Sequence, residues 1–180
     1  MTKSEIRQYM LEKRYSIPQV IHDKYSHEAV KSIQSHPLYQ QSKVIGLYHP
    51  IKHELNIVPI TNDTDKVFLL PVVEGDEMHF HVYNQDSTLT KSHLNILEPK
   101  DNKILDESLE LLIVPALAVT KQGDRVGYGK GYFDRFLKQH PHIHTMTVVL
   151  DFQVLEDIPV ESTDQPIQHL LVIKGEHHDH

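Results

Sequence analysis

Residues 111–137 read LLIVPALAVTKQGDRVGYGKGYFDRFL and combine an apolar run, a glycine-rich loop and a helical pattern. The apolar run, residues 110–119, predicts a central buried strand, and residues 131–140 predict a helix with Phe136 turned inward. The whole chain has seven glycines, four of which lie within nine residues: Gly123, Gly127, Gly129 and Gly131. Glycine accepts positive φ and lets the backbone approach a ligand, so that its N–H groups can bind an anion. A strand followed by such a loop and a helix predicts a phosphate site.

The charges around these glycines also favour a phosphate site. Arg125 and Lys130 lie in the loop, and Asp134 follows where its carboxylate could hold a metal ion. Neither the P-loop motif nor the dinucleotide-binding motif G-x-G-x-x-G fits this loop. Five residues, instead of four, separate Gly123 from Gly129, and the last three glycines follow a G-x-G-x-G spacing. The alternative is a plain turn between strand and helix, which would leave the clustered charges unexplained.

Apolar runs alternate with helical patterns along the rest of the chain. A capping-box spacing, Thr2 to Glu5, begins a helix that ends near Tyr15, and a second helix runs from Pro18 to about residue 36. A short helix is predicted within 55–60. The predicted strands are 43–50, 66–73 with a break at Pro71, 77–83, 110–119, 145–150 and 170–173. This order predicts an α/β fold, a single-domain three-layer sandwich with a mostly parallel central sheet and helices on both faces.

Length and composition restrict the class of protein. With 180 residues, 39% of them hydrophobic and 24% charged, we expect one globular domain over 1–174 and a polar, histidine-rich tail over 175–180. The absence of cysteine excludes disulfides and thiolate catalysis. A net charge of −7 argues against nucleic-acid binding. No apolar segment reaches the roughly 20 residues that span a bilayer. We therefore expect a cytoplasmic protein without nucleic-acid or membrane partners.

Four separated motifs carry a family resemblance. They are the N-terminal pair Lys3 and Arg7, the pair His53-Glu54 after a strand, the run VPALAV…GDRVGYGKGYFDRFL, and Asp164 before the last strand. In this order, over nearly the full chain, they resemble the signature of the 5-formyltetrahydrofolate cyclo-ligase, or methenyltetrahydrofolate synthetase, family. The resemblance implies an enzyme that uses ATP and Mg²⁺ to convert 5-formyltetrahydrofolate into 5,10-methenyltetrahydrofolate, with release of ADP and phosphate. It also implies that the formyl oxygen is phosphorylated and that N10 then attacks.

The same resemblance implies roles for individual residues. Those expected to bind ATP are Lys3, Arg7, Arg125, Val126, Gly127, Tyr128, Gly129, Lys130, Gly131, Tyr132 and Phe133. Those expected to contact the folate are His49, Glu54, Tyr128, Lys130, Gly131 and Tyr132. The expected magnesium ligands are Asp134 and Asp164, and the expected catalytic residues are Lys130, Arg125 and Glu54. The alternatives are an exposed basic turn for Lys3 and Arg7 and a solvated carboxylate for Glu54. For Asp134 the alternative is a pair with Arg135 or a place in the first turn of its helix.

Three positions depart from the family pattern. Thr120 replaces a frequent acidic residue, Phe133 replaces a tyrosine, and Gln168 replaces an aspartate near the second metal ligand. None of them changes the glycines or cations of the loop, so we expect an active enzyme, in monomeric form. Two other classes stay open. One is a binding module that keeps the fold without turnover, and the other is a different enzyme on a similar scaffold, such as a sugar-phosphate isomerase or a small-molecule kinase.

Overall fold

The computed structural model describes residues 1–175, and the histidines of the predicted tail lie outside that range. The helices are α1 (Lys3–Tyr15), α2 (Gln19–Gln34), α3 (Pro37–Gln41) and α4 (Tyr132–Gln139). The strands are β1 (Val44–Gly46), β2 (Val67–Glu74), β3 (Glu77–Tyr83), β4 (Thr90–Lys91), β5 (Leu97–Glu98), β6 (Leu111–Ile113), β7 (Ala118–Val119), β8 (Arg125–Val126), β9 (His144–Leu150) and β10 (His169–Ile173). None of the helices in this part of the chain is long and apolar enough to cross a bilayer.

Six of the strands form one sheet in the order β10-β9-β6-β1-β2-β3. All neighbours are parallel except β2 and β3, which form an antiparallel hairpin around Gly75. The chain leaves β1 toward β2 on one side and leaves β6 toward β9 on the other, so the strand order reverses between β1 and β6. The mostly parallel α/β sheet predicted from the sequence is confirmed. Ligand sites in such sheets lie at this reversal, beyond the carboxyl ends of the strands.

Helices cover both faces of the sheet with apolar side chains. On one face, Ala29 and Ile33 of α2 pack with Ile45 of β1, and all three are fully buried. On the other face, Phe136 of α4 packs against Phe80 of β3, with ring centroids 4.8 Å apart. Each large apolar side chain buried in this way contributes about 1.5–3 kcal/mol. These contacts fix the three-layer arrangement, and they anchor the helix that follows the glycine-rich loop.

Helix α1 packs on the small hairpin formed by β7 and β8. Its first turn has the predicted capping box, because the Glu5 N–H donates to the Thr2 hydroxyl and the Thr2 N–H donates to the Glu5 carboxylate. Ile6 and Met10 are buried together with Val126 of the hairpin. The packing holds the N-terminal basic residues of α1 next to the glycine-rich loop.

The apolar run 110–119, predicted as one central strand, is divided into β6 and β7. The sheet ladder continues one residue past β6, through a hydrogen bond from the Val114 N–H to the Met146 carbonyl. Pro115 has no N–H with which to extend the ladder, and its carbonyl accepts a hydrogen bond from Arg125. The remaining apolar residues form β7, which pairs with β8 across the loop. The prediction of a single strand was therefore wrong.

Strand β2 runs through Pro71, where the sequence predicted a break. Pro71 faces Phe80 in the antiparallel ladder with β3. The Leu69 carbonyl accepts from the Leu47 N–H, so the odd-numbered residues of β2 direct their backbone groups toward β1. Because β1 ends at Gly46, position 71 lies beyond that ladder. The missing N–H of proline therefore costs no ladder hydrogen bond.

Three shorter segments also differ from prediction. The helix predicted to reach about residue 36 ends at Gln34, and Pro37 begins the further helix α3. Proline suits a first helical turn because an N–H there has no helical partner, and the His36 ring accepts from the Leu38 N–H as a cap. The helix predicted at 55–60 is a 3₁₀ segment, Val58–Asn62, and the strand predicted at 43–50 is shortened to β1.

Candidate active site

A cavity of about 520 Å³ lies at the reversal between β1 and β6. Its walls come from the segments that follow these two strands, from the end of β2 and from the glycine-rich loop. Ile51 and Lys52 follow β1, Pro115 follows β6, and Val73 belongs to β2. The cavity therefore occupies the position that the topology of the sheet favours for a ligand.

The glycine-rich loop forms the polar wall of the cavity. Gly129 has a φ of 95° and lies against α1, since a Cβ added there would be 3.2 Å from the guanidinium carbon of Arg7. Gly131 has a φ of 72° and directly precedes α4. Lys130, between these two glycines, is exposed and lines the cavity. Left-handed backbone in a turn allows successive N–H groups to converge on an anion, so this loop has the chemistry of a phosphate cradle.

The two basic residues of α1 reach the same cavity. The Lys3 ammonium lies 2.8 Å from Asp164 Oδ2 and 3.4 Å from a Glu161 oxygen. Burial lowers the pKa of Lys3, but the two carboxylates outweigh it, so that the net shift of this pKa is upward. Arg7 Nε donates to the Gly127 carbonyl at 2.8 Å. The alternative interpretation, an exposed basic turn, does not hold, because both side chains contact site segments distant in sequence.

Arg125 lies at the inner end of the loop. Its Nη1 donates to the Pro115 carbonyl at 2.8 Å, and its Nη2 lies 3.9 Å from Asp134 Oδ2. Burial lowers the pKa of this guanidinium, while Asp134 and Asp164 oppose the shift. A guanidinium retains its charge in proteins, so Arg125 presents a fixed cation with a rigid fork to the cavity.

The two expected metal ligands both line the cavity. Asp134 Oδ1 accepts from the Gln165 N–H, and Asp164 Oδ2 accepts from Lys3 and from the Glu161 N–H. Within residues 1–175, no hydrogen bond is recorded to Asp134 Oδ2 or Asp164 Oδ1. Two carboxylates with a spare oxygen each fit Mg²⁺, which takes one or two carboxylates together with water and phosphate oxygens.

Asp134 and Arg135, whose pairing was one alternative interpretation, form no ion pair among the described residues, and Asp134 lies near Arg125 instead. Arg135 donates to the carbonyls of Lys130 and Asp76. It thereby joins the glycine-rich loop to the β2–β3 turn. Asp134 occupies the first turn of α4, where a carboxylate is favoured by the helix dipole.

Apolar side chains line another part of the cavity. They are the ring of Tyr132 and side chains from β2, β3 and the loop between β4 and β5, namely Pro71, Val73, Met78, Leu94 and Ile96. The loop is anchored because Glu98 of β5 accepts from the Val73 N–H at 2.8 Å. No sequence pattern indicated Leu94 and Ile96 as cavity residues, since residues 84–106 lack periodicity. Leu94 and Ile96 reach the cavity only because the β4–β5 hairpin docks against β2.

Glu54 and His49, both expected to contact a folate, do not line the cavity. Glu54 is 4% exposed and its Oε1 accepts from the Ile51 N–H. Burial raises the pKa of Glu54 to about 7, although Arg14 opposes the shift. Burial also lowers the pKa of His49. Glu54 is therefore not the solvated carboxylate of the alternative interpretation, and it lies behind the cavity wall instead of on it.

The fold and this cavity define an α/β protein with a cavity that both cationic and apolar side chains line. The model of the 5-formyltetrahydrofolate cyclo-ligase family matches residues 1–173. The chain belongs to this family, whose members are ligases.

Known relatives agree with this assignment. The 5-formyltetrahydrofolate cyclo-ligase of Mus musculus is 28% identical over 78% of each chain. The enzyme of the same name from Haemophilus influenzae is 29% identical, covering 81% of this chain and 86% of its own. The solution structure of Aquifex aeolicus 5,10-methenyltetrahydrofolate synthetase has 30% identity and a TM-score of 0.84, and it covers 100% of this chain and 99% of its own.

Proposed function

We propose that the protein catalyses the ATP- and Mg²⁺-dependent cyclisation of 5-formyltetrahydrofolate to 5,10-methenyltetrahydrofolate, with release of ADP and phosphate. One observation carries the proposal: a single cavity is lined both by a cationic, glycine-rich loop and by a group of apolar side chains. The loop suits the phosphates of ATP, and the apolar side chains suit a flat aromatic ring system. The names of the relatives support the same reaction.

In the proposed reaction, the formyl oxygen attacks the γ-phosphorus of ATP, and ADP leaves. N10 then attacks the formyl carbon, the C–O bond breaks as phosphate departs, and N10 loses its proton. Phosphate is a far better leaving group than hydroxide, which explains the need for ATP. Phosphoryl transfer depends mainly on positioning and on neutralising charge on the moving oxygens. Arg125 supplies a positive charge held in place by its hydrogen bond to the Pro115 carbonyl, and Lys130 supplies a mobile one. Arg7 holds the loop through its hydrogen bond to the Gly127 carbonyl.

Lys3, Arg7 and residues 125–133 surround ATP in this proposal, and Tyr128, Lys130, Gly131 and Tyr132 also border the folate. Asp134 and Asp164 hold Mg²⁺, which supplies charge neutralisation at the phosphates. Glu54 acts on the folate through Tyr128, because Glu54 itself does not line the cavity. His49 does not line the cavity either, so we propose no contact between it and the folate. We further propose a cytoplasmic monomer that takes only these small molecules as partners.

The direct test is a mixture of the protein with 5-formyltetrahydrofolate, ATP and Mg²⁺. We expect the near-ultraviolet absorbance of the methenyl product to grow only when ATP is present, with one phosphate released per turnover. A flat trace from folded protein that binds both ligands would instead indicate a binding module. Transfer of phosphate to a stable acceptor would indicate a kinase, and turnover without ATP an isomerase.

Asp134→Asn should raise the Mg²⁺ concentration needed for half-maximal rate. Loss of even an outer partner of a metal site typically costs about 10–100-fold in affinity, so we expect an increase of at least about tenfold. The measurement is the initial rate as a function of free Mg²⁺ at fixed, saturating ATP. Asp124→Asn is the matched control, because Asp124 lies in the same loop, accepts from Thr120 and does not line the cavity. Equal Mg²⁺ curves for both variants would assign Asp134 a structural role only.

A further inference from the structure

A buried arginine behind the cavity joins three segments of the site. Arg14, near the end of α1, is 6% exposed. Its Nη1 donates to the Tyr128 hydroxyl at 2.7 Å and to the Lys52 carbonyl at 3.3 Å, and its Nη2 donates to the Ala116 carbonyl at 3.1 Å. These acceptors belong to the glycine-rich loop and to the segments that follow β1 and β6. The family signature did not include Arg14, although it lies seven residues after Arg7 and therefore on the same face of the helix.

Glu54 is the carboxylate associated with this arginine. Its Oε2 is buried and has no hydrogen-bond partner among the described residues. Arg14 and Glu54 border the same small space of about 10 Å³, whereas Tyr128 lines the main cavity. The charge of Glu54 raises the pKa of Tyr128 in addition to the larger effect of burial, so the phenol lies close to the carboxylate. Tyr128 thus separates Glu54 from the cavity.

We propose that Arg14 is a positioning residue that holds the Tyr128 hydroxyl beside Glu54 and places a positive charge next to this buried carboxylate. The inference rests on the proposed function, in which Glu54 acts on the folate. The Tyr128 oxygen accepts from Arg14, so its own proton is available to the carboxylate or to a ligand in the cavity. The one arginine thereby sets both the orientation of the phenol and the charge behind it.

The surroundings of Glu54 define how its protonation should respond. The groups that face it are Arg14 from α1, Arg125 and Tyr128 from the glycine-rich loop, Tyr48 after β1, and His22 of α2, whose Nε2 lies 2.9 Å from the Glu54 carbonyl oxygen. Burial raises the pKa of Glu54 to about 7, whereas Arg14, Tyr128 and Arg125 lower it. Removing the charge of Arg14 should therefore raise the pKa further, because burial would then act with less opposition.

The test is the titration of Glu54 in Arg14→Gln, which keeps donor groups but removes the charge. Carboxyl ¹³C NMR of glutamate-labelled protein follows the titration directly, and Glu54→Gln assigns the signal. We expect the midpoint to rise by about one pH unit, and we expect the acid limb of kcat/KM to move upward by the same amount. Lys13→Gln is the matched control, since Lys13 is the adjacent residue of the same helix and is exposed. Lys13→Gln should change neither the Glu54 titration nor the pH profile of kcat/KM.

An unchanged Glu54 midpoint in folded Arg14→Gln would overturn the proposal. If that variant does not fold, Tyr128→Phe provides the same test, because it removes only the hydroxyl and should also raise the midpoint. An unchanged midpoint in Tyr128→Phe would equally count against the network. The NMR titration needs no turnover. A shifted midpoint in a protein without cyclo-ligase activity would therefore support the network and contradict the proposed function.

Discussion

Lys130→Ala is expected to lower kcat/KM of the cyclisation by about 10²–10³-fold, or about 3 kcal/mol of transition-state stabilisation. Lys130 is the exposed cation of the cavity loop, between two glycines with left-handed backbone. No ion pair is recorded for its ammonium within residues 1–175, so its charge is available to a ligand. Lys3, by contrast, is already paired with Asp164. Charge placed where a phosphoryl group moves acts mainly in the transition state, so the loss should fall on kcat more than on KM.

The measurement is steady-state kinetics of methenyl formation at saturating Mg²⁺, with ATP and folate varied in turn. Lys121→Ala is the control, because Lys121 is an exposed lysine of the same connection that does not line the cavity. It should change kcat/KM by less than about twofold. A Lys130→Ala enzyme with normal kcat and only a raised KM for ATP would limit Lys130 to ground-state binding.

Gly123→Ala is expected to destabilise the fold by about 3 kcal/mol or more. Gly123 has a φ of 95°, a conformation that costs a residue with a side chain about 1–3 kcal/mol. An added Cβ would also lie 2.1 Å from the Ile167 carbonyl oxygen, and overpacking of this kind costs about 1–3 kcal/mol more. The same two residues share a hydrogen bond, from the Ile167 N–H to the Gly123 carbonyl, at 2.8 Å. The substitution must therefore displace the segment that carries Asp164.

Urea unfolding followed by circular dichroism measures this loss. Gly75→Ala is the matched control, since Gly75 also has positive φ, 61°, but an added Cβ would meet nothing within 4 Å. Its cost should be limited to backbone strain, about 1–2 kcal/mol. Equal losses of the free energy of unfolding in the two variants would show that the contact with Ile167 contributes nothing beyond strain.

The sequence was sufficient where local chemistry decides the structure. The capping box at Thr2 and Glu5 formed as predicted, and the apolar alternation of the chain correctly indicated a mostly parallel α/β sheet. The cationic glycine-rich loop, Asp134 and Asp164 come together at one cavity, while their roles in binding and catalysis stay predictions.

The sequence was insufficient where a tertiary contact decides. A proline within an apolar run predicts a strand break, but Pro71 does not break β2, because β1 ends before the position that its N–H would face. Pro115, in contrast, divides a continuous apolar run into two strands. Leu94 and Ile96 acquire a role only because the β4–β5 hairpin docks on β2 through Glu98. Arg14 is one of many basic residues in a helical pattern, and only its burial distinguishes it.

The contacts that Lys3 and Arg7 of α1 make with distant segments also bear on the order in which the site can assemble. The hydrogen bond between Lys3 and Asp164 joins residues 161 positions apart in the sequence, and the one between Arg7 and Gly127 joins residues 120 positions apart. During synthesis, α1 can therefore form its contact with Asp164 only after nearly the whole polypeptide has been made. Contacts that close such long loops slow folding, because chain entropy is lost before they form. Strands β1, β2, β3 and β6, which are neighbours in the sheet, all precede Gly127 in the chain. This part of the sheet can form first, so a nascent chain would pass through a stage that has part of its sheet but no competent cavity.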